Sequence, residues 1–288
     1  MIGLLFSSVF PIIKAKGDGS MKYLTGQKET VPLRGISQEA LKLVACAAML
    51  IDHVGAALVV PTEAVYYSDV ELYTNMAWIN LVLRCIGRIA FPIFCFLLVE
   101  GVYHTRDPKK YVRRLAVGMM LSEIPFDLAF FRDGISWAHQ SVMVTLLLGC
   151  IMVLLMNRSK GLRKLLWIAP FYFAAEWLHT DYGGDGILVI AMFALVKGTK
   201  HEKWWRLAGM FLLYWDFSYQ CGYYNLDVRI PMNRLPLLSA IPIFCYDGRK
   251  LTHNKTVQWA FYLFYPVHIL ILALLKLLIF DSAALVMG

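Results

Sequence analysis

Nine stretches of this chain carry apolar residues in near-continuous runs: 39–60, 77–102, 112–131, 140–157, 164–179, 184–197, 204–219, 234–246 and 257–280. Continuous runs predict helices with apolar surroundings on all sides, and those near twenty residues reach across a hydrocarbon core about 30 Å thick. Strands of a membrane barrel would instead alternate with period two in segments of about ten residues. The expected fold is an all-α integral membrane bundle of nine to ten transmembrane helices around a polar mid-membrane cavity. Stretches six and eight are short, which implies tilt, burial or re-entry. The bundle is expected over 38–280, with an N-terminal extension at 1–37 and a tail at 281–288.

Polar residues interrupt these runs at particular places. Asp52 and His53 sit inside LKLVACAAMLIDHVGAALVV, residues 41–60. A charged group at that depth costs at least ~2.5–3.5 kcal/mol, so such residues mark chemistry or transport more readily than packing. As sequence neighbours they point roughly 100° apart on a helix: one can line a cavity while the other meets a second helix. Arg84 and Arg88 are four residues apart, as are Glu123 and Asp127. If the second and third runs are antiparallel neighbours, Arg88 falls at the depth of Glu123 and Arg84 at that of Asp127. Two interhelical ion pairs, or an arginine for an anionic ligand beside a carboxylate that steers a proton, fit this equally. His268 follows Pro266 in FYLFYPVHILIL, where proline removes a helix hydrogen bond and favours a kink. HTDYGGDGILVI, residues 179–190, reads as a glycine turn before a helix. It is no phosphate-binding loop, because no strand precedes it and no GKS or GKT follows.

Charge gives the expected orientation. The chain is 59% hydrophobic and only 17% charged, against ~25% charged in ordinary soluble domains. Of its 28 Lys and Arg residues, 22 fall before the first run or after the second, fourth, sixth and eighth, counting those at the edges of the runs that border these segments. By the positive-inside rule those loops and the N-terminus are cytosolic. The net charge of +8 is thus a topology signal and not a nucleic-acid footprint. Residues 1–13 are apolar but too short to span, and no basic residue precedes them. They suggest an interfacial or re-entrant anchor rather than a cleaved leader. The six cysteines form no CxxC pair, so neither a disulfide framework nor a metal site is expected. Cys46 and Ser122 are the only candidates for a covalent nucleophile, and nothing in the pattern supports either.

Six segments together resemble the TraX family of bacterial membrane acetyltransferases: LKLVACAAMLIDHVG (41–55), RIAFPIFCFLLVEG (88–101), LSEIPFDLAF (121–130), VMVTLLLG (142–149), DYGGDGILVI (181–190) and FYPVHILIL (264–272). The resemblance implies a multi-pass enzyme of the cytoplasmic membrane. Such an enzyme carries acetyl from cytosolic acetyl-CoA to an acceptor on or beyond the membrane, a peptide amine such as a pilin N-terminus or a glycan hydroxyl or amine. It points to Asp52, His53, Arg88, Glu100, Glu123, Asp127, Asp181, Tyr182, Gly183 and His268.

On that footing His53 is expected as general base, tuned by Asp52 or Glu123, with Arg88 or His268 at the oxyanion. Arg84 and Asp127 complete the polar site. Lys110, Arg113 and Arg114 are candidates for the CoA phosphates. A proton-coupled secondary transporter is the competing class, since buried acids and histidines also relay protons. A scaffold subunit without catalysis is the third.

Overall fold

The computed structural model describes residues 35–131, 139–215, 221–223, 226–252 and 254–287. Residues 1–34, including the anchor expected at 1–13, lie outside them. Gly35–Gly288 forms one compact unit. The protein is an all-α membrane protein. Three helical stretches are long and apolar enough to cross a bilayer: Gln38–Leu58, Val70–His104 and Thr256–Ile279. Among the described residues one short antiparallel pair, β1 (Cys221–Tyr223) and β2 (Leu226–Ile230), accompanies the helices.

α1 (Gln38–Leu58) begins where Ser37 accepts a hydrogen bond from the Ala40 N–H, satisfying one of the orphan donors of a helix start. After the one-and-a-half-turn α2 (Glu63–Ser68), α3 (Val70–Gly87) starts seven residues before the second apolar run, capped by Asp69 through the Leu72 N–H at 2.9 Å. That run is not one straight helix. It breaks at Arg88–Ile89 and resumes as α4 (Ala90–His104), so the break falls beside a polar residue, as the spacing to Pro92 suggests. α5 (Pro108–Phe130) has proline in its first turn, where the missing N–H costs nothing, and it stays helical through Pro125.

α6 (Val142–Arg158) is followed by a 3-10 turn, Gly161–Trp167, and then α7 (Ile168–Trp177), α8 (Gly183–Val196) and α9 (Glu202–Tyr214). The eighth run is a 3-10 segment, Met232–Ser239, with the short α10 (Ala240–Phe244). It is too short to span, which accounts for its brevity in the sequence. α11 (Lys255–Met287) is continuous through Pro266, and residues 281–287, set apart above as a tail, continue it. α11 packs along α5 and α1, α1 against α3 and α4, and α8 against α4, α6, α7 and α9. The core between them holds large buried side chains such as Phe96, Phe193, Met152 and Ile269.

Candidate functional site

A cavity of about 1550 Å³ runs between these helices. On α1 it is lined from Gln38 to Ala56, which at ~1.5 Å per residue is a length of about 27 Å. Its ends differ in charge. Lys42, Arg106, Arg114 and Lys250 line one end, with His104 and Glu100. Glu176, His179, Asp181, Asp185 and His139 line the other.

Asp52 and His53 both face the cavity, although they diverge on α1. The reason is that α3 and α11 approach α1 from different sides, and each supplies one partner. Asp52 Oδ2 is ion-paired with Arg84 Nη1. The approach of α3 is close there: a Cβ on Gly87 would fall inside the Asp52 side chain. His53 Nδ1 lies 2.7 Å from His268 Nε2, with the two rings inclined by only 6°. His268 Nδ1 lies 2.6 Å from the Phe264 carbonyl oxygen. A carbonyl only accepts, so His268 Nδ1 carries its proton and its Nε2 accepts from His53 Nδ1. His53 Nε2 is then left with a lone pair. Phe130 and Tyr265 close edge-on around the ring, at centroid distances of 5.3 and 6.0 Å.

Arg88, at the α3–α4 break, also lines the cavity, and its buried Nε has no hydrogen-bond partner among the described residues. Asp181 lies within electrostatic reach of Arg84, Arg88, Asp52 and His139. Tyr182 stacks on Phe91 at 3.5 Å between centroids, 6° from parallel. Gly183 takes φ +48, a left-handed conformation that admits glycine freely, and the next amide, Gly184 N–H, donates to Glu176 Oε1 at 2.7 Å. Turn and helix start are thus as the glycine pattern predicts, and they present Asp181, Tyr182 and Gly183 to the cavity.

Other expected residues sit elsewhere. The pairs Arg88–Glu123 and Arg84–Asp127 are not the ones formed. Arg84 turns to Asp52 on α1, while Glu123 accepts from the Ser141 hydroxyl at 2.6 Å and from its N–H at 3.3 Å, at the start of α6. Neither Glu123 nor the buried Asp127 lines the cavity, and the hydrogen bonds of Glu123 go to Ser141 rather than to His53. Matching depth on adjacent helices placed these groups at one level but could not say which helix each would face. His268 stands behind His53 rather than at the cavity surface, so it reaches a substrate oxyanion only through that ring. Lys110 and Arg113 are exposed and away from the cavity. Lys110 pairs with Asp107 at 3.2 Å, and the hydrogen bond from the Lys110 N–H chiefly holds that carboxyl below its ordinary range. Arg114 does line the basic end, 5.2 Å over the Tyr262 ring.

Glu100 is buried at the same end and accepts from Lys197 Nζ at 2.5 Å and Arg206 Nη2 at 3.2 Å. Its first task is to neutralise two cations that α8 and α9 bring together. Ser122 turns its hydroxyl to the Gly118 carbonyl, and Cys46, though buried, lines the cavity.

Lys42, Arg106, Lys250, His139, His179 and Tyr265 were not singled out from the sequence. Tyr265 could have been, since it lies three residues before His268 on one helix face. The others come from loops and helix ends that only folding brings together.

A comparison with known families matches the family described as TraX protein over residues 37–276. The chain belongs to the TraX family. All six segments that carried the resemblance fall inside that match, and so do all the cavity residues described above. A curated relative of this TraX-family chain is the "Probable fimbrial assembly protein FimC, serogroup H1" of Dichelobacter nodosus. It is 29% identical over 248 residues, covering 82% of this chain and 94% of the relative. No solved structure matches.

Proposed function

We propose that this protein is an acetyl-CoA-dependent acetyltransferase of the bacterial cytoplasmic membrane, crossing it several times with its basic loops inside. In this reading it passes acetyl to an amine on the far side. The observation that carries the reading is His53: a ring nitrogen with a lone pair, held in one tautomer, facing a cavity with a basic end and an end bearing carboxylates and histidines. An anionic nucleotide thioester suits the first end and a cationic acceptor the second. Membership of the TraX family, and a relative named for fimbrial assembly, support an acceptor among pilus proteins.

In the reaction, the amine nitrogen attacks the thioester carbon while His53 Nε2 takes a nitrogen proton. The imidazolium so formed is held by His268, whose Nε2 accepts from Nδ1. Arg88, with a free donor beside the cavity, meets the developing oxyanion. The C–S bond then breaks, and the proton on His53 passes to the departing sulfur. Lys42, Arg106, Arg114 and Lys250 are the groups for the phosphates of CoA, and each uses charge that topology alone also requires at that end.

The test is calorimetry on protein purified in detergent. Acetyl-CoA should bind saturably, desulfo-CoA should compete, and His53→Ala should keep binding while losing at least ~100-fold in turnover, as loss of a general base predicts. A folded wild-type protein that does not bind acetyl-CoA sinks the reading. The length of the cavity favours one other class, a proton-coupled transporter, which predicts accumulation of a solute in sealed vesicles without CoA.

A further inference from the structure

Transfer to an ammonium needs two bases, and the site at His53 supplies one. An alkylammonium has no lone pair, so it must lose a proton before it attacks, and its nitrogen loses another afterwards. The second proton goes to His53 and on to the thiolate. The first has to leave by a different group. This argument rests on the acetyltransfer reading above.

We infer that His139 and His179 are that first base: a deprotonation site at the carboxylate-bearing end of the cavity for an incoming primary ammonium. Both rings line the cavity, 6.5 Å apart between centroids and edge to face. No ring nitrogen of either hydrogen-bonds to another described residue. The two are held together by backbone pairing, in which the Gln140 N–H donates to the His179 carbonyl at 3.1 Å and the Asp181 N–H to the Gln140 carbonyl at 2.9 Å. His179 holds φ +50, a conformation unusual for a residue with a side chain. Between them Thr180, 6% exposed, lines the cavity with a buried hydroxyl that has no partner among the described residues, a polar atom left for a ligand.

The charge around the site suits a cation. α6 and α8 both begin here, and helix starts ordinarily favour anions. Each is already answered by a carboxylate from a neighbouring helix: Glu123 accepts from the Ser141 N–H and Glu176 from the Gly184 N–H. Among the described residues, the other charged groups lining this end of the cavity are Asp181 from the α7–α8 turn, within electrostatic reach of His139, and Asp185 from α8. Deeper in lie Asp52 from α1, in its ion pair with Arg84, and Arg88 from the α3–α4 break. Tyr265 faces in from α11.

The step balances simply. An imidazole nitrogen takes H⁺ from R–NH₃⁺, and the free amine moves inward past Asp181 and Tyr265 to His53. The imidazolium returns its proton to the outer solvent. Over the full cycle one N–C bond forms, one C–S bond breaks, CoA leaves as the thiol, and one proton is released outside.

The experiment is a pH profile of acetyl transfer by purified full-length protein, with wild type beside His139→Gln, His179→Gln and the double variant. One probe acceptor is an alanyl peptide, whose α-amino group titrates near ~7.7–8.0. The other is aniline, which is neutral throughout the range. At pH ~6.5 the double variant should be slower than wild type on the peptide by about 15- to 30-fold, the factor by which free amine is scarce there, and equal to it at pH ~9. On aniline it should match wild type at every pH, and acetyl-CoA binding should be unchanged. A loss independent of pH, or equal on both probes, overturns the inference, as does an unchanged rate on the peptide at pH ~6.5. Wild-type protein that acetylates neither probe refutes the acetyltransfer reading, and this inference with it.

Discussion

His53 donates from Nδ1 to Nε2 of His268 across 2.7 Å, and the Phe264 carbonyl fixes the tautomers of both rings. The pair is the imidazole version of the arrangement in which a buried acceptor behind a histidine holds its reactive nitrogen unprotonated and steadies the charge that forms on it. His268 is thus a positioning residue.

His268→Ala should lower kcat by about 10²-fold while leaving acetyl-CoA binding intact. His268→Gln, whose amide oxygen can still accept from His53 Nδ1, should recover part of that loss. Steady-state kinetics of the two variants side by side decide this. If Ala and Gln are equally impaired, or Ala is as active as wild type, the positioning role is wrong.

The Asp52–Arg84 pair ties α1 to α3 at the level of His53. Breaking a dry buried pair costs about 3–5 kcal/mol. Both side chains here retain some access to the cavity, so about 1–3 kcal/mol is expected for Asp52→Asn or Arg84→Met. A double-mutant cycle on thermal stability in detergent should show the two changes to be less than additive. Strict additivity would mean that the pair is geometric only.

At the basic end, Lys42 and Lys250 line the cavity together. The double change Lys42→Ala with Lys250→Ala should raise KM for acetyl-CoA about tenfold at low salt with kcat little altered. The difference should shrink as salt rises, because screening weakens exposed charge pairs. Lys110→Ala and Arg113→Ala, which lie away from the cavity, serve as controls and should leave KM unchanged. A KM that responds to the controls and not to the lining pair would relocate the donor site.

The sequence carried the class of the fold and the depth of its polar groups. A long apolar run cannot be soluble surface, and a charge within it cannot be incidental, so Asp52, His53, Arg84, Arg88 and His268 stand out without any coordinates. Glycines 183 and 184 announced the α8 start for a similarly local reason, a left-handed turn. The direction of each side chain about its helix axis was not local. Periodicity places Arg84 and Glu123 on faces but does not name the helix each face will meet, and Arg84 went to α1 while Glu123 went to the α6 start.

What the sequence by itself determined is which residues must be answered inside the membrane, because a bare polar group deep in hydrocarbon is costly whichever helix it meets. What only the tertiary structure decided is who answers whom. His53 and His268, 215 positions apart, meet because α11 packs against α1. Lys42, Arg106 and Lys250, or His139 and His179, share a cavity end because helix ends and loops distant in sequence close over the same bundle. Those juxtapositions are set by how helix surfaces fit one another, and no single helix contains that information.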